Sequence, residues 1–393
     1  MPSRIIFTEE FCQPENLYPF TLTRQIQDIR VGILTIREKW ERILGLPSFD
    51  KWEDDYKDLD RSIRIDKNTG NDICLMIHGN ILPTAKLVKA VKKLQNGEFI
   101  SVNGNAGVIF RFTKNEITEP HKIKVTNAIT IKDDVKNIQF PWDIFQLNNY
   151  AIQQDFELLT GKRKSQKISG ANKIVKASRV FIEKGVEMEH CILNASEGPI
   201  YIGKNALIME GALIRGPVAI GENAVIKMGA KIYGATTIGP NCIAGGEIKN
   251  SVFFGNSNKA HDGYIGDSVI GEWCNMGAGT SNSNIKNNAG EVRVWTLKGE
   301  MSAGLKCGLF MGDYSRTSIN SSINTGTVIG VCCNVFGQGL SPKYIPSFSW
   351  GSDGVQRYSF EKALIDIENW MKLKNKTISD SEKIILKYIF ENY

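Results

Sequence analysis

The chain has 393 residues, of which 42% are apolar and 23% charged, with a formal net charge of +6. These are ordinary globular values that allow a sizeable core and two or more domains. The positive excess is mild and lacks the clustered cations and aromatic platforms that nucleic-acid binding requires.

Glu9 and Glu10 interrupt any signal-peptide core near the N-terminus. No stretch approaches the roughly 20 apolar residues of a membrane span. The eight cysteines form no C-x-x-C pair and no disulfide framework. The expectation is a soluble, cytoplasmic protein with free thiols, without nucleic-acid or membrane partners.

Arg4 to Thr8 predicts a short strand, and Val31 to Trp40 a turn into a helix. The apolar run Asp72 to Ile77 predicts a buried strand ending at His78-Gly79-Asn80. Pro83-Thr84 opens a helix predicted to run through Leu94, with Leu87, Ala90, Val91 and Leu94 on one face. A strand followed by a helix argues for an α/β domain. No glycine precedes Gly32, so a Gly-rich phosphate loop after the first strand is missing, and Pro14 to Arg24 stands in its place. Pro141 to Phe145 leads into a helix over Asn148 to Thr160, with Gly161 as its cap. The polar stretch Lys162 to Ala171, including Lys162-Arg163-Lys164, reads as a linker.

From about Val175 the pattern changes. Isoleucine stands at 202, 208, 214, 220, 226, 232 and 238, a spacing of six. That period belongs to neither a helix nor a simple strand. It is the hexapeptide repeat of a parallel β-helix, in which each hexapeptide makes one flat side of a triangular coil. An extra pair of residues near Glu197-Gly198-Pro199 predicts a small loop. The period weakens around Ala244 and Asn250 and resumes at Ile270 and Met276. An insertion over about Ser281 to Leu305 interrupts it, and it returns from Met311 until Gly337. Tyr358 to Lys374 and Ser379 to Tyr388 predict two amphipathic helices that cap the open end of the stack.

Residues with chemical capacity gather where the period lapses. His261 lies between two runs of the repeat and could act as a base near neutral pH, or serve as a surface histidine. Asn275, Gly277-Ala278-Gly279-Thr280, Asn282 and Asn284 follow. Small corner residues allow another molecule to approach the backbone, or simply pack tightly at turns. Only His190 and His261 of the four histidines fall in the repeat, so a three-histidine zinc site is unsupported and no metal is expected there.

These residues resemble a known family. The chain is similar to GlmU, the bifunctional bacterial enzyme of UDP-N-acetylglucosamine synthesis. GlmU joins a uridylyltransferase of Rossmann-like fold to a left-handed β-helix acetyltransferase. Leu17 to Arg24, Arg30 to Trp40 and Ile345 to Gly351 resemble divergent GlmU-like proteins of the Bacteroidetes group. The family's acetyltransferase pattern is K-x(11)-H-x-x-Y-x-G-D followed by I-G-x-x-x-N-x-G-A-G-T. Lys249, His261, Tyr264, Gly266, Asp267, Ile270, Gly271, Asn275, Gly277, Ala278, Gly279 and Thr280 occupy those positions.

The resemblance implies His261 as the base that takes a proton from a sugar amine. It implies Lys249 and Tyr264 on the sugar phosphate, and Asn275 and Asn284 positioning the substrate. The backbone at Ala278 and Gly279 would line the acetyl-CoA thioester. Two phosphate cations of the family are missing, an Arg near Lys231 to Tyr233 and a Lys after Asn284. In the N-terminal domain the triphosphate loop is absent, and Asn80 replaces the metal aspartate; Arg24, Asn80 and Asn148 are the candidate nucleotide contacts. Mg²⁺ would be required only if that domain is active.

The expected fold is α/β plus all-β. It comprises a nucleotidyltransferase-like domain over 1–165, a left-handed β-helix over 175–338 and a helical extension over 339–393. The expected function is acetyl-CoA-dependent N-acetylation of glucosamine 1-phosphate by a homotrimer, coupled with UTP to UDP-N-acetylglucosamine if the first domain is active. The alternatives are another amino or nucleotide sugar with a non-catalytic N-terminal domain, and a non-catalytic trimeric scaffold.

Overall fold

The computed structural model describes residues 2, 4–9, 12–48, 73–104, 106–113, 116–119, 122–125 and 127–393. The predicted strand residue Asp72 and His121 lie outside them. Two compact units result. The first comprises Met1–Pro14, Arg24–Ile29 and Leu34–Gln139; the second comprises Glu15–Thr23, Arg30–Ile33 and Phe140–Tyr393.

The first unit is built on a mixed five-stranded sheet. Its order is Arg4–Thr8, Cys74–His78, Gly107–Phe112, Glu98–Val102 and Asn127–Ile131. The outer pairs run parallel, and the two pairs involving Gly107–Phe112 run antiparallel. Cys74–His78 is buried throughout, as its unbroken apolar run predicts. The helix Ile36–Leu44 starts at a capping box made by Thr35 and Glu38. Its Trp40 is wholly buried and donates from Nε1 to the Ile81 carbonyl at 2.9 Å. The helix expected to reach Leu94 spans only Ala85–Val91, capped by the Thr84 hydroxyl. Lys92 and Lys93 form a turn, and Leu94 beyond it is still buried.

The second unit contains a left-handed parallel β-helix whose three sheets hold ten, six and nine strands, the tenth of the first, Gln356–Arg357, being antiparallel. Each inward isoleucine stacks on its copy one coil away. One column runs Ile182, Ile202, Ile220, Ile238, Phe253, Ile270, Met311, Ile329 and Ile345. A second runs from Ile174 through Leu193, Ile214, Ile232 and Ile248 to Ile265. All but Ile174 in these columns are buried. Each such side chain contributes roughly 1.5–3 kcal/mol by leaving water, so the stack supplies the core that no single coil could hold.

The lapse of the period after Ile238 does not stop the stack. Ile220 and Ile238 pair eighteen residues apart, but Ile238 and Phe253 pair fifteen apart, and Phe253 and Ile270 seventeen apart. The coils lose residues while their inward columns stay aligned. Ser281–Asn282 still pairs with Ser322–Ile323, so the excursion begins later than predicted, at Ser283. It carries the antiparallel hairpin Arg293–Thr296 and Gly299–Ser302.

Two further expectations are corrected. The coil continues beyond Gly337, because Ile345 fills the inward position beneath Ile329 and Trp350 pairs beside Asn334. The C-terminal helices, Phe360–Lys372 and Asp380–Asn392, lie along a side of the prism. Lys374 reaches the Asn241 and Asn256 carbonyls, Arg316 lies 5.6 Å from the Trp370 ring, and Lys362 sits over Trp350. Those contacts span several coils, which an end cap could not touch.

Candidate functional site

The shortened coils carry Lys249, Tyr264 and Asp267 on neighbouring levels. Lys249 ends the strand Glu247–Lys249, which pairs with Tyr264–Gly266 so that Lys249 faces Gly266 and Glu247 faces Tyr264. Adjacent strands lie about 4.8 Å apart, so Lys249 and Tyr264 project from one side of the prism. A Cβ at Gly266 would lie 2.2 Å from the Tyr264 hydroxyl oxygen. The phenol therefore lies across the space that glycine leaves empty.

That placement brings the Tyr264 hydroxyl to Asn284 in the excursion. Asn284 donates from Nδ2 to the Tyr264 oxygen at 3.1 Å and to the Asp267 carboxylate. Asn250 donates to the other Asp267 oxygen at 2.6 Å. A carboxylate only accepts, so Asp267 fixes which way the Asn284 amide faces. Among the described residues the Asn284 Oδ1 has no donor and the Tyr264 hydrogen no acceptor, so both are open to a ligand. Burial, then the nearby Asp267 charge, pushes the Tyr264 hydroxyl up to about 12, so it stays protonated at neutral pH. Lys249 Nζ lies 5.8 Å from the Tyr233 ring centre, while Tyr233 donates to Glu247 at 2.6 Å.

His261 sits on the exposed corner between Asn258–Lys259 and Tyr264–Gly266. Among the described residues its imidazole has no hydrogen-bond or ionic partner. The corner needs glycine at Gly263, whose φ is +123° and whose Cβ would lie 2.2 Å from the Thr280 carbonyl oxygen. One level on lies the Gly277–Thr280 corner. Gly279 donates its N–H to the Asp262 carbonyl at 2.9 Å, joining the two corners. The Ala278 carbonyl accepts from Asn320 at 2.6 Å. The Ala278 N–H has no acceptor among the described residues. An exposed imidazole and an unused backbone donor on adjacent corners can take up a proton and hold an oxyanion.

Asn275 stands apart from this cluster, on another side of the prism. It is in register with Asn258 and Arg316 and accepts from the Asn258 amide at 3.5 Å. Among the described residues no hydrogen bond joins it to Lys249, His261, Tyr264 or Asn284.

The three residues expected to contact nucleotide are divided between the units. Arg24 and Asn80 belong to the first, where Asn80 is buried and its carbonyl accepts from Ile138 at 3.0 Å. Asn148 belongs to the second and is wholly buried. Its oxygen accepts from Gly32 N–H at 2.6 Å, and its nitrogen donates to the Ala235 carbonyl and the Thr237 hydroxyl. Glu15–Thr23, from the stretch replacing the phosphate loop, also packs within the second unit. Tyr18 lies 5.3 Å from the Trp295 ring and 3.1 Å from the Ser347 hydroxyl, and Thr23 donates to Asp313 at 2.7 Å. Among the described residues no cluster of three or more His, Cys, Asp or Glu side chains could hold a metal. At Asn80 itself an amide oxygen stands where a Mg²⁺ ion prefers a carboxylate.

Asp267, Asn250 and Gly266 complete the cluster without having been assigned roles from sequence. Asp267 and Gly266 lie inside the quoted motif, and counting the shortened coil in register would have placed both. Asn250 directly follows Lys249 with φ +47°, a turn position that asparagine tolerates.

Residues 5–164 match the family model described as sugar nucleotidyl transferase. Residues 199–234 match the bacterial transferase hexapeptide model of six repeats. Over 273 residues the chain is 30% identical to a bifunctional protein GlmU of Methanococcus maripaludis, covering 62% of this chain and 58% of that protein. Over 259 residues it is 29% identical to a GlmU of Methanocaldococcus jannaschii, covering 58% and 55%. A bifunctional sugar-1-phosphate nucleotidylyltransferase/acetyltransferase of Sulfurisphaera tokodaii is 40% identical over 91 residues, 23% of each chain. The chain thus spans less than two-thirds of the length of each of these relatives. It joins a region that matches the sugar nucleotidyl transferase model to a β-helix that matches bacterial transferase hexapeptide repeats.

Proposed function

We propose that the chain is an acetyl-CoA-dependent N-acetyltransferase whose acceptor is an amino-sugar phosphate, glucosamine 1-phosphate, working as a homotrimer in the cytoplasm. The observation that carries this reading is the convergence of Lys249, Tyr264 and an Asp267-oriented Asn284 on one side of the prism, beside the His261 corner. Lys249 and the Tyr264 hydroxyl present a cation and a donor to a phosphate. The Asn284 oxygen accepts from the amine or a sugar hydroxyl. His261 takes a proton as the neutral amine nitrogen attacks the thioester carbonyl carbon. The Ala278 N–H is the candidate donor to the resulting oxyanion. When the carbon–sulfur bond breaks, CoA leaves as the thiolate and receives the proton from the His261 imidazolium.

The experiment mixes purified protein with glucosamine 1-phosphate and acetyl-CoA and follows free CoA. No release by the wild type removes this acceptor. Release that survives His261→Ala removes His261 as the base. A second reading, another amino sugar, is favoured by the absence of an arginine at 231–233, where Tyr233 binds Glu247 instead. Testing other amino sugars in the same assay separates the two. Adding UTP and Mg²⁺ and looking for pyrophosphate tests the first unit; Asn80 in place of a carboxylate leads us to expect little or none.

A further inference from the structure

One inward column of the prism contains a charged residue. Its register runs Met188, Ile208, Ile226, Ala244 and then Lys259. Lys259 is wholly buried, at 0% exposure. Taking an ammonium from water costs several kcal/mol unless polar partners replace the hydration. Here the partners are backbone: Nζ donates to the His261 carbonyl and, at 2.9 Å, to the Asp262 carbonyl. Burial pulls the Lys259 amine down to about 8, against a raising influence of Asp262.

The Asp262 carbonyl is the same atom that accepts the Gly279 N–H. It therefore receives two donors, one from inside the prism and one from the next corner. Lys259 consequently grips the peptide that carries His261 and the joint between the His261 and Ala278 corners. An apolar residue would fill the column without holding either carbonyl. We infer that Lys259 is a positioning residue that sets the spacing between the base on one corner and the thioester-facing backbone on the next. It never touches substrate; it works through His261 and Asp262. A misplacement of about 1 Å between reacting groups can cost on the order of 10²-fold in rate.

The kinetic arm of the test rests on the acetyl-transfer reading; the second arm does not. Lys259→Met keeps a long unbranched side chain in the column. Its kcat for CoA release is expected to fall at least tenfold, with both KM values within about twofold of wild type. Independently, amide hydrogen exchange at the 258–263 and 277–280 corners should quicken about tenfold, while exchange in Val218–Ile220 is unchanged. Ile226→Ala, two coils away in the same column, is the control for general loosening, and should not produce that local pattern. An unchanged kcat in an active enzyme overturns the inference, as does unchanged or uniformly faster exchange. If the wild type releases no CoA, the acetyl-transfer reading fails, and the exchange result alone decides whether Lys259 holds the corners together. Should Lys259→Met not fold, Lys259→Gln, which keeps a shorter donor, undergoes the same two measurements.

Discussion

Two parts of one prism differ in the length of their coils and in what fills their core. Between Ile202 and Ile238 every coil has eighteen residues, apolar residues fill the inward positions, and the corners are alike. Between Ile238 and Ile270 the coils shrink to fifteen and seventeen residues, and a lysine enters the core. The regular part is interchangeable with itself and so identifies no unique point on its surface. The shortened part breaks that equivalence and gathers Lys249, His261, Tyr264 and Asp267. Regularity supplies stability, and departure from it supplies a place for chemistry.

Substitutions should separate the two parts. The largest effect is expected for His261→Ala, a loss of roughly 10²–10⁴ in kcat with little change in melting temperature, measured by CoA release and calorimetry. In the regular part, Ile226→Ala should cost about 2–5 kcal/mol of stability in denaturant unfolding, through lost contacts and a cavity, while kcat per folded molecule is retained. Lys249→Met should weaken acceptor binding by about 1.5–3 kcal/mol, the worth of a charged hydrogen bond. That would appear as a tenfold or greater rise in the acceptor KM, with the acetyl-CoA KM unmoved.

The last prediction is a pH dependence. Lys259 titrates near 8 when folded against 10.5 when free. Between those values the unfolded chain binds more protons, so stability contributed at this site rises with pH. Wild-type stability relative to Lys259→Met should therefore increase from pH 8 to 10.5. A difference that is flat across that window would show that burial does not lower the Lys259 amine, which then stays charged in the folded protein.

Much of this architecture was legible in the sequence. The isoleucine period announces the prism because stacking requires one inward side chain per hexapeptide. Cys74–His78 announces itself because a buried strand must be apolar on both faces. The failures have definite causes. A fixed period ends the repeat at Gly337, because Ile345 follows Ile329 by sixteen residues and such a period does not detect a shortened coil. The side-lying helices were misplaced because amphipathicity gives a buried face but not what it meets. At the site, the motif indicated His261, Tyr264 and Lys249. That Asp267 orients Asn284 depends on the path of the excursion, which no local pattern encodes.

The contact between Tyr18 and Ser347 joins positions 329 residues apart. A ribosome adding 5–20 residues per second needs about 15–65 s to cover that interval. Through that time the segment from Glu15 to Thr23 has emerged, while the last coil that receives Tyr18 has not been made. Coils can stack one upon another as they appear, because each needs only its neighbour. The Tyr18 segment cannot, and its aromatic side chains must wait exposed or be shielded by other proteins. Loss of the final coil would thus be felt first near the beginning of the chain.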